Sequence, residues 1–265
     1  MSTARYAHPA IRGLLLALAG GVFAALAFTT VAMAKTVEEL LAEGDQHYAA
    51  ARLAEARTSY LAALQEAPGH FATLCRLCRS ESELAELQKG DDKRATRSAA
   101  VEHARAAVKA APDSGAGHVW LAVALGRQAL SEGAKTRLAL SREIKSEVDR
   151  GLQLDPNIGR GWHVLAVWNM KISSLNTLER MAANMVGGVP PGASFEQAEK
   201  AFQKAIELEP DYVNHRLEYA RLLKDRGRKD EARKELEKAI SLPPTSNALD
   251  ARYQAEAKEL LAKLK

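Results

Sequence analysis

Small and apolar side chains recur along this chain at offsets that place them on one face of a helix. Counting back 12, 8 and 5 residues from each of five prolines finds the same stripe. Ala56, Tyr60 and Ala63 precede Pro68; Ala100, Ala104 and Ala107 precede Pro112; Ile144, Val148 and Gly151 precede Pro156. Ala198, Phe202 and Ala205 precede Pro210, and Ala232, Leu236 and Ala239 precede Pro244. Steps of four and three residues line one helical face, and a proline stops one helix and opens the next. A looser half-pattern stands in front of some stripes: Leu40, Glu43 and Gly44 in the first, Leu125-Gly126 in the third, and Trp162, Leu165 and Ala166 in the fourth. No run alternates as a strand does, so the fold class is all-α.

The paired halves match the tetratricopeptide-repeat (TPR) pattern, in which a small residue, a large one and a terminal proline close each helical hairpin. The chain therefore predicts a right-handed helical solenoid of about five repeats. A capping helix from Asp250 to Lys265 follows, with Tyr253, Ala257, Leu260, Leu261 and Leu264 on its apolar side. The prolines stand 44, 44, 54 and 34 residues apart, and only the last interval equals the ~34-residue period. Two segments account for visible surplus. Gln88 to Asp92 reads as a polar loop, and Leu175 to Ala193 reads as an insert in the fourth repeat. The insert carries Leu175, Leu178, Met181, Ala182, Met185, Val186 and Val189 on one face, with Glu179 and Arg180 opposite. Gly187-Gly188 and Pro190-Pro191 break it, and Ser194 with Gln197 restarts the helix as a capping box. Two readings stay open: a short helix tucked into the concave side, or a lid whose flexible methionines meet a lipid or an apolar peptide.

Residues 1–34 have a different character. They contain no acid; Arg5 and Arg12 precede an uncharged stretch from Gly13 to Ala34 that ends in Ala32-Met33-Ala34. That is the pattern of a secretory signal peptide, with an uncleaved membrane anchor at residues 13–34 as the alternative. The expected organisation is thus a leader over 1–34 and a TPR domain over 35–265. In a bacterium the address is the periplasm, either free or anchored and facing it.

Composition changes this picture little. The chain is 47% hydrophobic, 26% charged and 5% aromatic, with a formal charge of +4. It is a folded helical protein with no push toward nucleic acid. Cys75-Arg76-Leu77-Cys78 lies inside a helical stripe, without the strand–helix scaffold of a redox dithiol, the following His of a haem site or a second ligand pair for zinc. Buried packing and a disulfide both remain open for it. His118, Trp120, His163 and Trp168 cluster in the third and fourth repeats, where Trp162 takes the large packing position. With Arg180, Met181 and Met185 they form the expected ligand or partner groove. The run from Arg221 to Lys238, with eight basic and five acidic residues, reads as a solvated helical face. No phosphate loop or nucleophile elbow is present, so no catalytic residue, metal or cofactor is expected.

A particular family is suggested by Trp162-His163-Val164-Leu165-Ala166-Val167-Trp168, which resembles an H-x-x-G-x-W element. Leu175, Glu179-Arg180, Pro190-Pro191, Ser194-Phe195-Glu196-Gln197-Ala198 and Phe202 follow in order, then Leu242-Pro243-Pro244, Asp250 and Glu259-Leu260-Leu261. From about His118 to Leu264 the chain resembles the regulator of microtubule dynamics family; before His118 it matches only as ordinary TPR. The resemblance implies a TPR domain that binds partners, with microtubule association or phospholipid binding among the family's roles. An exported protein would meet no microtubules, so that role is not carried over. The expected function is a scaffold holding a segment of another exported protein, with an acyl-chain or phospholipid carrier, closed by the 175–193 insert, as the alternative.

Overall fold

The computed structural model describes residues 35–264 other than 186, 244 and 246, and residues 35–265 form one compact unit. The leader reading for residues 1–34, Val186 of the insert face and Pro244 of the fifth stripe lie outside the described residues. Within them run twelve helices and no strand: α1 (Val37–Ala49), α2 (Leu53–Glu66), α3 (Phe71–Leu87), α4 (Gly90–Ala110), α5 (Gly115–Ala129), α6 (Ala134–Leu154), α7 (Gly159–Ser173), α8 (Thr177–Asn184), α9 (Phe195–Leu208), α10 (Val213–Asp225), α11 (Lys229–Ser241) and α12 (Asp250–Ala262).

The stripes explain the pairing. Ala56, Tyr60, Ala63, Ala198, Phe202, Ala205, Ala232, Leu236 and Ala239 are all fully buried. Each lies on the second helix of a hairpin: α1–α2, α3–α4, α5–α6, α7–α9 and α10–α11 pack as pairs, and each second helix packs on the first helix of the next pair. First helices also meet across repeats (α3 with α5, α5 with α7, α7 with α10), while second helices make no comparable contact with one another. The first helices therefore line the narrow inner face of the solenoid, and the second helices splay on its outside. Trp162 and Leu165 are half-buried and bridge two apolar clusters, one centred on α5 and α6 and one on α9 to α11.

Two sequence expectations need correction. The polar loop at Gln88–Asp92 is only Gln88 and Lys89; Asp91 and Asp92 belong to the first turn of α4, where a helix N-terminus favours negative charge. The surplus of the second and third repeats goes into helix length instead. Helices α3, α4, α5 and α6 have 17, 21, 15 and 21 residues, against 13 each for α10 and α11. The insert is also misplaced by the concave-side reading. Helix α8, capped by Asn176 and Glu179 in a reciprocal box, rests against the second helix α6. Arg142 of α6 donates to the carbonyls of Gly187 and Gly188, both at 2.7 Å. Leu175, Val189 and Ala193 pack on the central cluster, and Leu178, Met181 and Met185 face outward.

Close approach of α5 to α6 rests on two glycines. A Cβ on Gly115 would stand 2.7 Å from the Gly151 carbonyl oxygen, whereas one on Gly126 would meet nothing within 4 Å. Backbone cannot yield as a side-chain tip can, so Gly115→Ala is expected to destabilise by about 2 kcal/mol. Gly126→Ala is expected to stabilise by about 0.5–1 kcal/mol through helix propensity. Urea midpoints of the two variants should move in opposite directions; movement in the same direction contradicts this packing.

Candidate functional site on the inner face

Helix α3 carries three carboxylates near its end, Glu83 and Glu86 toward the inner face and Glu81 toward α2 and α4. A buried carboxylate is tolerated only when charge and hydrogen bonds meet it, and each of these is met from two other parts of the chain. Glu81, fully buried, accepts from Arg57 Nε of α2 at 2.8 Å and pairs with His103 Nδ1 of α4 at 2.7 Å. Glu83, 2% exposed, accepts from Tyr48 Oη of α1 at 2.7 Å and from Asn247 Nδ2 at 3.2 Å. Glu86 accepts from Arg97 Nη2 of α4 at 2.8 Å, with Arg127 Nη1 of α5 at 3.4 Å. Burial pushes the Glu86 carboxyl up, but Arg127, Arg97 and Lys93 outweigh it and hold the group below the usual carboxylate range.

Farther along the inner face, the Arg160 guanidinium of α7 lies 3.6 Å from the Tyr212 ring centre, and its Nε donates to Glu209 Oε2 at 3.1 Å. Tyr212 meets Tyr253 edge to face at 6.2 Å, and Arg127 Nη2 donates to Tyr253 Oη at 3.3 Å. Behind this layer sits a chain of polar groups. His215 is fully buried, with Nε2 3.2 Å from Glu209 Oε2 and Nδ1 3.0 Å from His163 Nδ1. Two ring nitrogens at that distance share one proton, one donating and one accepting. Burial pushes both imidazoles down, His215 to about 4 even though Glu209 pulls the other way. Among the described residues no three His, Cys, Asp or Glu side chains converge as metal ligands.

The lead-in to α12 crosses this face. Asn247 bonds Glu83 from 164 residues away, and its Oδ1 accepts from Leu249 N at 2.9 Å. Ala248 packs on the apolar cluster of α1, α2 and α3, while Leu249 is fully buried in the cluster of α9 to α12. Arg252 Nη1 donates to the Glu86 carbonyl at 2.6 Å, across 166 residues. The C-terminal segment does cap α10 and α11, but it also occupies the inner face of α3 and α5.

The expected groove residues do not come together there. His118 is buried inside the third repeat, between Glu147 Oε2 at 2.6 Å and the Pro112 carbonyl at 2.9 Å. Trp120 is half-buried on the central cluster, and its carbonyl faces Cys78 Sγ at 3.4 Å. His163 belongs to the buried pair with His215. Trp168 is 5% exposed and donates from Nε1 to the Ser141 carbonyl at 2.7 Å, so it is core rather than groove. Arg180 closes the end of α7 by donating to the Leu175 carbonyl at 3.0 Å. Met181 on the outer helix α8 and Met185 just past its end are exposed. Cys75 and Cys78 are free thiols; burial pushes Cys75 up to about 11 and Cys78 higher still, which leaves both protonated. The residues that do line the inner face, Glu83, Glu86, Arg127, Arg160 and Tyr212, carry no short-range motif. The extra length of repeats two and three signalled only Glu86, which lies in the added turn of α3.

Hairpins stacked with first helices inward define a tetratricopeptide-repeat solenoid, a class of protein-interaction scaffold. A thermophilic TPR protein of Thermus thermophilus shares this fold at a TM-score of 0.61 and 21% identity, over 83% of this chain and 98% of that one. The chain belongs to the family described as Regulator of microtubule dynamics protein 1-3, whose sequence model matches residues 37–265. The match thus begins well before His118, where the motifs alone had placed it. Regulator of microtubule dynamics protein 3 of Rattus norvegicus is 33% identical over 189 residues, 71% of this chain and 40% of that protein. Regulator of microtubule dynamics protein 1 of Mus musculus is 26% identical, over 68% of this chain and 59% of that protein. The chain spans less than two thirds of the length of either. These relatives overturn the periplasmic address read from the leader, because they are animal proteins and animal cells have no periplasm.

The buried histidines generate a pH dependence. Folded His215 titrates at about 4, against about 6.5 in an unfolded chain. Between those values the unfolded state binds more protons, so stability rises with pH and falls on acidification. The lowered carboxylates Glu86 and Glu209 lose their contribution only as the pH falls below the ordinary carboxylate range. Unfolding free energy measured in urea should therefore drop by about 2 kcal/mol for His215 between pH ~7 and ~5, and His215→Asn should flatten that slope. An unchanged slope in the variant contradicts the assignment.

Proposed function

We propose that this domain is a non-catalytic scaffold that holds a segment of a partner protein on its inner face, in the microtubule-regulating role that its relatives' names record. One observation carries the reading: the inner face already holds an irregular stretch of polypeptide, from Asn247 to Leu249, through a side-chain bond to Glu83 and packing on α1 to α3. A surface that seats one such segment has the chemistry to seat another. The objection to microtubules was the periplasmic address, and it falls with that address.

An open cleft of about 550 Å³ lies between α7, α10 and α12, and its walls include Lys171, Ser174, Arg221, Lys224, Glu256 and Lys263. Charges of both signs at a solvent-open cleft suit a polar, charged segment. The acyl-carrier alternative has only Met170 and Leu260 as apolar walls here, and the exposed Met181 and Met185 lie outside the solenoid rather than over the cleft.

Co-sedimentation of the full chain with polymerised tubulin tests the proposal. The chain is expected to pellet with the polymer. Lys171→Glu with Lys224→Glu, in the cleft, should weaken binding about tenfold, while Lys204→Glu on α9 should not. A chain that stays in the supernatant, or equal losses in both variants, would overturn this reading.

A further inference from the structure

The C-terminal segment is attached to the rest of the domain in two chemically different ways. Toward the fifth repeat its hold is mainly apolar: Leu249 and Ala257 are fully buried, and Tyr253 and Leu264 nearly so, in one cluster with Leu217, Leu223 and Leu236. Arg221 donating to Glu256 at 2.7 Å and Gln254 to the Leu242 carbonyl at 2.8 Å add to it. Toward the second and third repeats its hold is mainly polar: Asn247 to Glu83 at 3.2 Å, Arg252 to the Glu86 carbonyl at 2.6 Å, and Arg127 to Tyr253 at 3.3 Å. Ala248 adds one small apolar contact. Hydrogen bonds exchange against water, so each adds modest net stability.

Release of this second hold strands no charge. Glu83 keeps Tyr48 Oη at 2.7 Å, Arg127 keeps Glu86, and Glu86 keeps Arg97 and Lys93. The cap can stay seated on α10 and α11, with Leu249 and Tyr253 in their cluster, while Asn247, Ala248 and the Arg252 side chain part from α3. The groups freed on α3 are then a carboxylate and a backbone carbonyl.

We propose that Asn247, Ala248 and Arg252 form a releasable latch that occupies, in cis, a docking site on α3 for a partner segment of the same chemistry. That segment offers an amide to Glu83 and a small side chain to the α1–α3 cluster. Five residues beyond the amide it presents an arginine to the Glu86 carbonyl. The proposal rests on the scaffold reading and adds which stretch of the face is held closed and what chemistry fills it.

A fluorescein-labelled peptide copying residues 245–256, titrated into the full chain by fluorescence anisotropy, tests this. The native chain should bind it weakly, because only the unlatched fraction is competent. Arg252→Ala removes one latch bond from a side chain 44% exposed, and should tighten binding about tenfold. Adding Asn247→Ala should tighten it further, and adding Glu83→Gln to Arg252→Ala should abolish the gain. If circular dichroism shows the Asn247→Ala/Arg252→Ala chain to be unfolded, Arg252→Ala alone carries the test. A folded Arg252→Ala chain that binds the peptide no tighter than the native chain overturns the latch. Tubulin binding without peptide binding leaves the scaffold standing and removes the latch; peptide binding without tubulin binding keeps the latch and changes the scaffold's partner.

Discussion

Glu81, Glu83 and Glu86 leave α3 in three directions, and each is met from two other parts of the chain. Arg57 and His103 come from the second helices α2 and α4, Tyr48 from the first helix α1, and Arg97 and Arg127 from α4 and α5. Asn247 comes from beyond the last repeat. Carboxylates near the interior of a helical layer are costly unless so met, and they therefore dictate which elements must surround α3. The alanine stripes allow the hairpins to stack, but the carboxylates fix what lies on the inner face once they have stacked.

A solenoid is close to one-dimensional, because each repeat touches only its neighbours. This domain departs from that rule. Bonds from Asn247 and Arg252 to α3 span 164 and 166 residues, tying the last element to the second repeat. The longer helices of repeats two and three make the connection feasible: the extra turn that takes α3 past the 13-residue length of α10 carries Glu86. Closure has a functional consequence. Part of the inner face is covered by the chain itself, and a cleft with charged walls lies open beside α7, α10 and α12.

Much of the fold was legible because its cause is local. A small residue at Ala56 or Ala198, a ring at Tyr60 or Phe202 and a following proline specify a close-packed hairpin within one repeat. Those rings are fully buried. The candidate site was not legible, because its contacts join residues with no common spacing. Trp168 sits out of phase with the stripe and so suggested a groove, yet its ring fills a gap beside α6 and its nitrogen finds the Ser141 carbonyl. Gln88 to Asp92 was polar enough to suggest a loop, although two aspartates are at home in a helix's first turn. The apolar residues of the insert left a tucked helix and a lid both open, and only the Arg142 bonds to Gly187 and Gly188 reveal which side of the solenoid it occupies. The leader's pattern suggested a compartment that the rat and mouse relatives exclude.

Closure of the inner face by the C-terminal segment depends on Glu83 and Asn247 interacting in the folded protein. A double-mutant cycle with Glu83→Ala and Asn247→Ala, read from unfolding free energies at neutral pH, measures that interaction. A coupling energy of about 1 kcal/mol is the result this structure predicts. Two substitutions whose effects add, to within about 0.3 kcal/mol, would contradict the closed inner face.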